Sequence, residues 1–333
     1  MKQKMFLIVS IDTEEDMPNW RPQKTTTTNN ILCLPRLQKL FRKYSIAPTY
    51  LVNQPVLEND ASVNVIRQLA QDEKCEIGAH LHSWNTPPLS EEEEQGQATY
   101  LSNQSLARKK EKLKNFTKVF QQKLGFLPTS YRAGRYGFCS QSAMILSELG
   151  YTIDSSIAPL MDFGADNGPN FRGHTLQPFW LKTQCHRKLL ELPVTIDLVH
   201  RFPTQFPELY FQIPDWTKIK GVFHRLNFAR LLWLRPTTYT VQEMKQLADH
   251  VLTRLQIPVI NIMFHSSEIC PGASPYNTTE QDVKEFFVRL ETIFSYLMPQ
   301  KKLHSVTLSE FASLCAQDEG LDIFGKKLLY REL

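Results

Sequence analysis

Four short stretches of the chain gather side chains able to bind a cation, move a proton or orient a carboxylate. The first is SIDTEED, in which Asp12, Glu14, Glu15 and Asp16 follow directly on an apolar run. Carboxylates so placed can ligate a metal or act as a general base, although an acidic turn or a helix cap uses the same residues. The second is EIGAHLHSWNTPP. If the chain stays extended through Leu81, His80 and His82 project to one side, which suits two ligands on one ion; otherwise they are loop histidines satisfied by backbone. The third, YRAGRYGF, sets Arg132 just before Gly134 and Gly137. Its guanidinium can fork or orient a carboxylate while the glycines allow close backbone approach, and Arg135 reads as solvent-facing. The fourth, VINIMFHSSEICPGASPY, delivers His265 from an apolar strand into a loop of small residues, with Glu268 close enough in sequence to hold its proton.

These residues need elements that bring them together. MFLIVSID, APTYLV, CEIGAH, TSYRAG, YTIDSS, KLLELPVTI, PVINIMFH and HSVTL read as strands. Helical spacing marks residues 31–44, 61–71, 105–124, 141–149, 241–255, 281–297 and 308–315. Repeated βα units imply a mainly parallel sheet covered by helices. Asp12, His80, Arg132, Asp154 and His265 all fall at or just past a strand's carboxyl end, where barrels and open sheets alike place their chemistry. Neither GxGxxG after the first strand nor GxxxxGK[ST] anywhere supports a nucleotide-binding open sheet. The expectation is one barrel domain over residues 1–333 with a loop-rich insertion at about 160–235.

Three further stretches carry weaker signals. The four glutamates of PPLSEEEEQGQATYLSNQ read as a solvated loop or helix start. Trp216, Phe223 and Trp233 read as core or as the wall of a substrate groove. The stretch from Phe223 to Arg235 reads as a buried amphipathic helix, with contact to a lipid-phosphate carrier at a membrane surface as the alternative.

Composition bounds the function from outside. With 42% hydrophobic and 22% charged residues, the 333-residue chain is ordinary globular material rather than disordered or coiled-coil. A net charge of +4 is too small to argue for a nucleic-acid partner. The apolar run from Met5 to Val9 is shorter than a signal-peptide core, and no stretch is long enough to span a bilayer, so a cytoplasmic location is expected. Six cysteines without a CxxC argue against a zinc ribbon or a disulfide framework, and no GxSxG elbow supports a serine nucleophile.

In order and approximate spacing, SIDTEED, EIGAHLHSWNTPP, YRAGRYG, DSSIAP and IMFHSSE resemble the motifs of the polysaccharide deacetylase (NodB-homology) family, over about Met5 to His265. The resemblance implies an α/β fold, a distorted (β/α)7 barrel of the glycoside hydrolase/deacetylase kind. It also implies hydrolysis of an N-acetyl or N-formyl group from an amino sugar of an envelope glycan or its cytoplasmic precursor, using one divalent metal, usually zinc. Residue by residue, it casts Asp12 as the base, Glu14 and His80 as metal ligands, Arg132 as the group orienting Asp12, and His265 as the acid that protonates the departing amine. Thr13 stands where the family commonly has a second aspartate, and Trp84 where it has the second histidine, which leaves His82 as the substitute ligand. Two alternatives stay open: a metal-independent amidase acting on a small amide, and an inactive barrel that binds a glycan or a partner protein.

Overall fold

The computed structural model describes residues 4–20, 26–72, 74–183, 187–202, 206–226, 228–299, 303–317, 328–331 and 333; Cys185 and His186 lie outside them. The apolar runs form strands β1 (Met5–Thr13), β2 (Pro48–Val52), β3 (Glu76–Leu81), β4 (Ser130–Ala133) and β5 (Ile153–Asp154). They are followed by β6 (Phe179–Leu181), β7 (Leu189–Glu191), β8 (Ile196–His200), β9 (Ala229–Trp233), β10 (Val259–His265), β11 (Leu303–Ser305) and β12 (Tyr330–Arg331). Seven of them, in the order β10-β1-β2-β3-β4-β5-β7, pair parallel and curl into the expected distorted barrel. Because β1 and β2 are buried almost throughout, they read in sequence as continuous apolar runs rather than as alternation.

The ring of strands is not closed by a ladder between β7 and β10 among the described residues. The hairpin β8–β9, an antiparallel pair of its own, fills that gap: Thr195 Oγ1 accepts from Asn261 N at 2.8 Å and Leu234 O from Met263 N at 3.3 Å. β6 adds antiparallel to β7 and carries β12, while β11 pairs with the first residues of β1.

Helices cover the outside. Leu34–Tyr44 turns Leu34, Leu37 and Phe41 into the core, each burial contributing about 1.5–3 kcal/mol, and it stops at Ser45, which takes a left-handed conformation with φ 54°. Leu106–Leu124 starts on a Ser105 cap and ends at Gly125 with φ 88°.

Three expectations need correction. KLLELPVTI is not one strand but two, since Pro193 separates β7 from β8. The stretch from Phe223 to Arg235 is not one helix: Ile219–Arg225 is helical, then Ala229–Trp233 is strand, where Leu232 is buried and Arg230 pairs with Glu243. The four glutamates do form a one-turn helix with a Ser90 capping box, but Glu93 is buried rather than solvated. It pairs with Lys112 at 3.1 Å, and that ammonium donates to the carbonyls of Ser83, Thr86 and Pro88 at 2.9, 2.6 and 2.7 Å. The loop that follows His82 is therefore tied down by a buried charge from the next helix.

Candidate active site

Strand register assembles the site. Asp12 on β1 lies beside His265 on β10, and His80 on β3 beside Arg132 on β4, so four of the sequence-selected residues end adjacent parallel strands. Residues two apart point the same way: Asp12 with Glu14, and His80 with His82. A cavity of about 230 Å³ opens there, lined among others by Asp12, Glu14, His80, His82, Trp84 and His265. The other two acids of the first motif turn away. Glu15 accepts from Asn53 and Asn85, and Asp16 accepts from Thr27, Asn29 and Asn30. Asp154 stays beneath the cavity, bound to Ser156 N at 2.9 Å and Oγ at 2.7 Å.

Glu14, His80 and His82 form a compact triangle. His82 Nε2 lies 2.8 Å from Glu14 Oε2 and 3.0 Å from His80 Nε2, and His80 Nε2 lies 3.4 Å from the same carboxylate oxygen. His80 Nδ1 donates to the carbonyl of Arg132 at 2.9 Å, which leaves Nε2 as the lone-pair nitrogen facing the triangle. Gly134 makes room for His82, because a Cβ at that position would overlap the imidazole. Trp84, in the place of the histidine that the resemblance led one to expect, packs on the His82 ring at 4.0 Å between centroids.

This triangle fits a metal. Tetrahedral coordination with bonds of about 2.0–2.1 Å puts ligand atoms roughly 3.3 Å apart, close to the three edges observed. Among the described residues these are the group of three His, Cys, Asp or Glu side chains whose ligand atoms lie within 4.8 Å of one another. Glu14 Oε1, buried, has no hydrogen-bond partner in the protein. Burial alone would raise the Glu14 pKa, but His265, His80 and His82 outweigh it and hold the carboxyl far below its usual range. For His80, burial works downward, and Asp12 and Glu14 outweigh it to raise its pKa above 6.5.

Asp12 is held from behind. Arg132, fully buried, donates from Nη1 to Asp12 Oδ1 at 2.6 Å, from Nη2 to Ser10 Oγ at 2.6 Å and Ser155 Oγ at 3.0 Å, and from Nε to Ser155 O at 2.8 Å. Burial pushes the Asp12 pKa up, yet Arg132, with His80 and His265, keeps it below the ordinary 3.8. Across the cavity, His265 Nδ1 lies 2.8 Å from Glu268 Oε1, and Arg235 donates to the same oxygen at 2.7 Å. That arrangement turns His265 Nε2 inward, 3.9 Å from both Asp12 Oδ2 and Glu14 Oε1.

Sequence reasoning missed six residues of the cavity wall: Met17, Trp20, Ala133, Tyr136, Arg235 and, as a lining residue, Arg135. Trp20 packs on His265 at 4.6 Å between centroids. Arg135, expected to face solvent, instead bonds Thr99 at 2.9 Å and Asp166 at 3.1 Å and lies over the Tyr100 ring. A positive charge beside two glycines was the one signal for Arg135. Nothing local marked Trp20 or Arg235, which reach the site only through tertiary packing.

Protein-family models scanned against the sequence give no match, and neither does a search of curated proteins. Solved structures do share the fold. A protein named as a polysaccharide deacetylase from Mycobacterium smegmatis superposes with a TM-score of 0.58 at 14% identity, over 100% of this chain and 94% of that one. One so named from Pseudomonas aeruginosa PAO1 gives 0.55 at 13% identity, over 96% and 93%. Puue allantoinase gives 0.53 at 11% identity, over 96% and 92%. At such identities the likeness establishes the barrel.

Proposed function

We propose that this chain, as one catalytic domain, is a metal-dependent hydrolase that removes an acetyl or formyl group from the nitrogen of an amino sugar, in an envelope glycan or its precursor. The observation that carries the reading is the Glu14–His80–His82 triangle set between an ionised Asp12 and an inward-facing His265 Nε2. The names of the similar solved structures, polysaccharide deacetylases among them, support it as analogy.

Each side chain then has a task set by its geometry. Glu14, His80 and His82 would hold the cation, zinc being the ion their N and O donors suit best. When bound, a divalent ion there supplies Lewis acidity toward the acyl carbonyl and a water. Asp12 Oδ1 is committed to Arg132, so Oδ2 accepts the proton of the attacking water. His265, with Nδ1 fixed by Glu268, donates from Nε2 to the amide nitrogen as the C–N bond breaks. Trp20, Trp84 and Tyr136 wall the cavity and exclude water around the reacting group.

The test is metal content together with acyl release. Purified protein is expected to carry about one equivalent of metal and to liberate acetate or formate from N-acyl amino sugars, and Glu14→Ala and His82→Ala to lose both. Full activity of metal-free protein would transfer the reading to the metal-independent amidase.

A further inference from the structure

The hairpin that plugs the barrel carries more chain than the plug requires. Between β8 and β9 the helices Phe206–Gln212 and Ile219–Arg225 form a tip. Its inner side is a small core of its own, in which Phe202 stacks on Phe206 at 4.2 Å and Phe223 meets both rings at 5.7 Å. Its outer side is also apolar. Trp216, Ile219, Val222 and Leu226 are 83%, 42%, 53% and 55% exposed; the spacing of three and four places Ile219, Val222 and Leu226 on one stripe of the helix, and Trp216 lies in the turn before its left-handed Lys218 cap. Leu209 and Phe228 lie exposed in the same segment at 60% and 40%. Six of the fifteen exposed large hydrophobic residues of the described chain thus fall within residues 209–228. Scattered single apolar side chains are normal on a surface; a stripe of them is a contact site.

The charge around the stripe says what it contacts. Residues 201–225 hold four basic side chains (Arg201, Lys218, Lys220, Arg225) against Glu208 and Asp215, so 4 − 2 = +2 of the chain's +4 sits in this segment; Arg230 beyond it is neutralised by Glu243. Arg201, Lys218 and Arg225 are exposed, Lys218 and Arg225 alternating with the apolar positions. A second copy docked symmetrically on the stripe would bring Lys218 and Arg225 toward their own counterparts, which like-charge repulsion opposes. A surface that is apolar within and anionic at its face satisfies both features at once.

We propose that this tip is a membrane-docking element that inserts Trp216 and the Ile219–Leu226 stripe into the interfacial layer of a bilayer containing anionic phospholipid. Trp216 supplies the amphipathic ring suited to that layer, and Lys218 and Arg225 meet the lipid phosphates. β9 leads from the tip to Arg235 on the cavity wall, six residues or roughly 20 Å at strand rise. The docking assignment rests on the surface alone and stands whether or not the cavity is a deacylase.

The experiment is sedimentation of the full chain with sucrose-loaded vesicles of phosphatidylcholine, with and without about 30 mol% phosphatidylglycerol. Wild type is expected to partition at least about tenfold more strongly onto the anionic vesicles, and added salt should weaken it. Lys218→Glu and Arg225→Glu should each lower that partition by about fivefold or more, and Trp216→Ser and Val222→Glu by about tenfold. All four sites are exposed, so thermal unfolding in the absence of lipid should be unchanged, which separates lost docking from lost folding. Equal partition of wild type onto neutral and anionic vesicles, or variants that bind like wild type, would overturn the proposal. So would a lipid-free dimer, seen by light scattering, that Val222→Glu dissociates; the stripe would then be an interface between copies of this chain.

Discussion

Arg132→Met tests the inner wall of the site more sharply than any substitution in the cavity itself. The methionine keeps much of the buried volume but removes four hydrogen bonds and the cation paired with Asp12. Breaking a buried pair by deleting one partner costs about 3–5 kcal/mol, because the remaining charge stays uncompensated. For 333 residues at about 2.1 cal/mol/K each, the unfolding entropy is about 0.7 kcal/mol/K, so Tm should fall by roughly 4–7 °C at neutral pH. The pH dependence carries the specific signature. In wild type the Asp12 pKa is depressed, so its contribution is present above the unfolded value of 3.8 and disappears only as pH falls through the lower folded value. In the variant, burial is no longer opposed by Arg132, the folded pKa rises, and the folded state then favours the protonated acid. The Tm gap should therefore be small near about pH 4 and widen toward neutrality, and the acidic limb of kcat/KM should move to higher pH. Calorimetry across that range and a pH–rate profile measure both. A gap that stays constant or shrinks as pH rises, with an unmoved acidic limb, would refute the view that Arg132 acts by holding Asp12 ionised.

Gly134→Ala places a methyl group where the His82 imidazole sits, so metal affinity should drop by about 10- to 100-fold as that ring is displaced; titration of the apoprotein with zinc measures it. His265→Ala should retain metal while lowering kcat about 10²- to 10⁴-fold, the usual worth of a positioned proton donor, and an unchanged kcat would remove it from that role. Apparent metal affinity should begin to weaken as pH falls through the raised pKa of metal-free His80, because protons and metal compete for its Nε2, and release follows at lower pH. The weakening should thus begin above the pH at which an ordinary histidine titrates, and zinc titration of the apoprotein in buffers of stepped pH reads it directly.

What the sequence revealed follows the physics of a parallel barrel. Strands buried on both faces must be continuous apolar runs, and the residues that break them at the carboxyl end stand out by contrast; Asp12, His80, Arg132 and His265 were legible for that reason. The i and i+2 pairs were legible because an extended chain alternates its faces. Arg235 and Trp20 were not, since one follows a hairpin and the other sits in a turn, and their place at the cavity depends on packing that no local pattern encodes. The helix expected over Phe223 to Arg235 failed for a related reason. Phe228, Leu231 and Leu232, at i, i+3 and i+4, fit a helical stripe in isolation, and only the antiparallel partner β8 decides for a strand.

Burying Lys112 is expensive, and the compensation it finds explains how His82, the least conventional of the proposed ligands, is held in place. Burial drives its pKa down, opposed by Glu93. The ammonium's other contacts are three carbonyls of the loop from Ser83 to Pro88, so the energy that keeps this charge inside also fixes the path of the chain leaving His82. A histidine at i+2 can serve beside His80 only if the strand geometry persists one residue past Leu81 and the loop then turns away without dragging the ring along. Trp84 supports the ring from outside, Gly134 leaves it room, and the Lys112–Glu93 pair holds the turn. His82 is thus held by its surroundings rather than by its own position in the sequence, and the run of glutamates that read as solvated surface is, with the charged helix after it, part of that support.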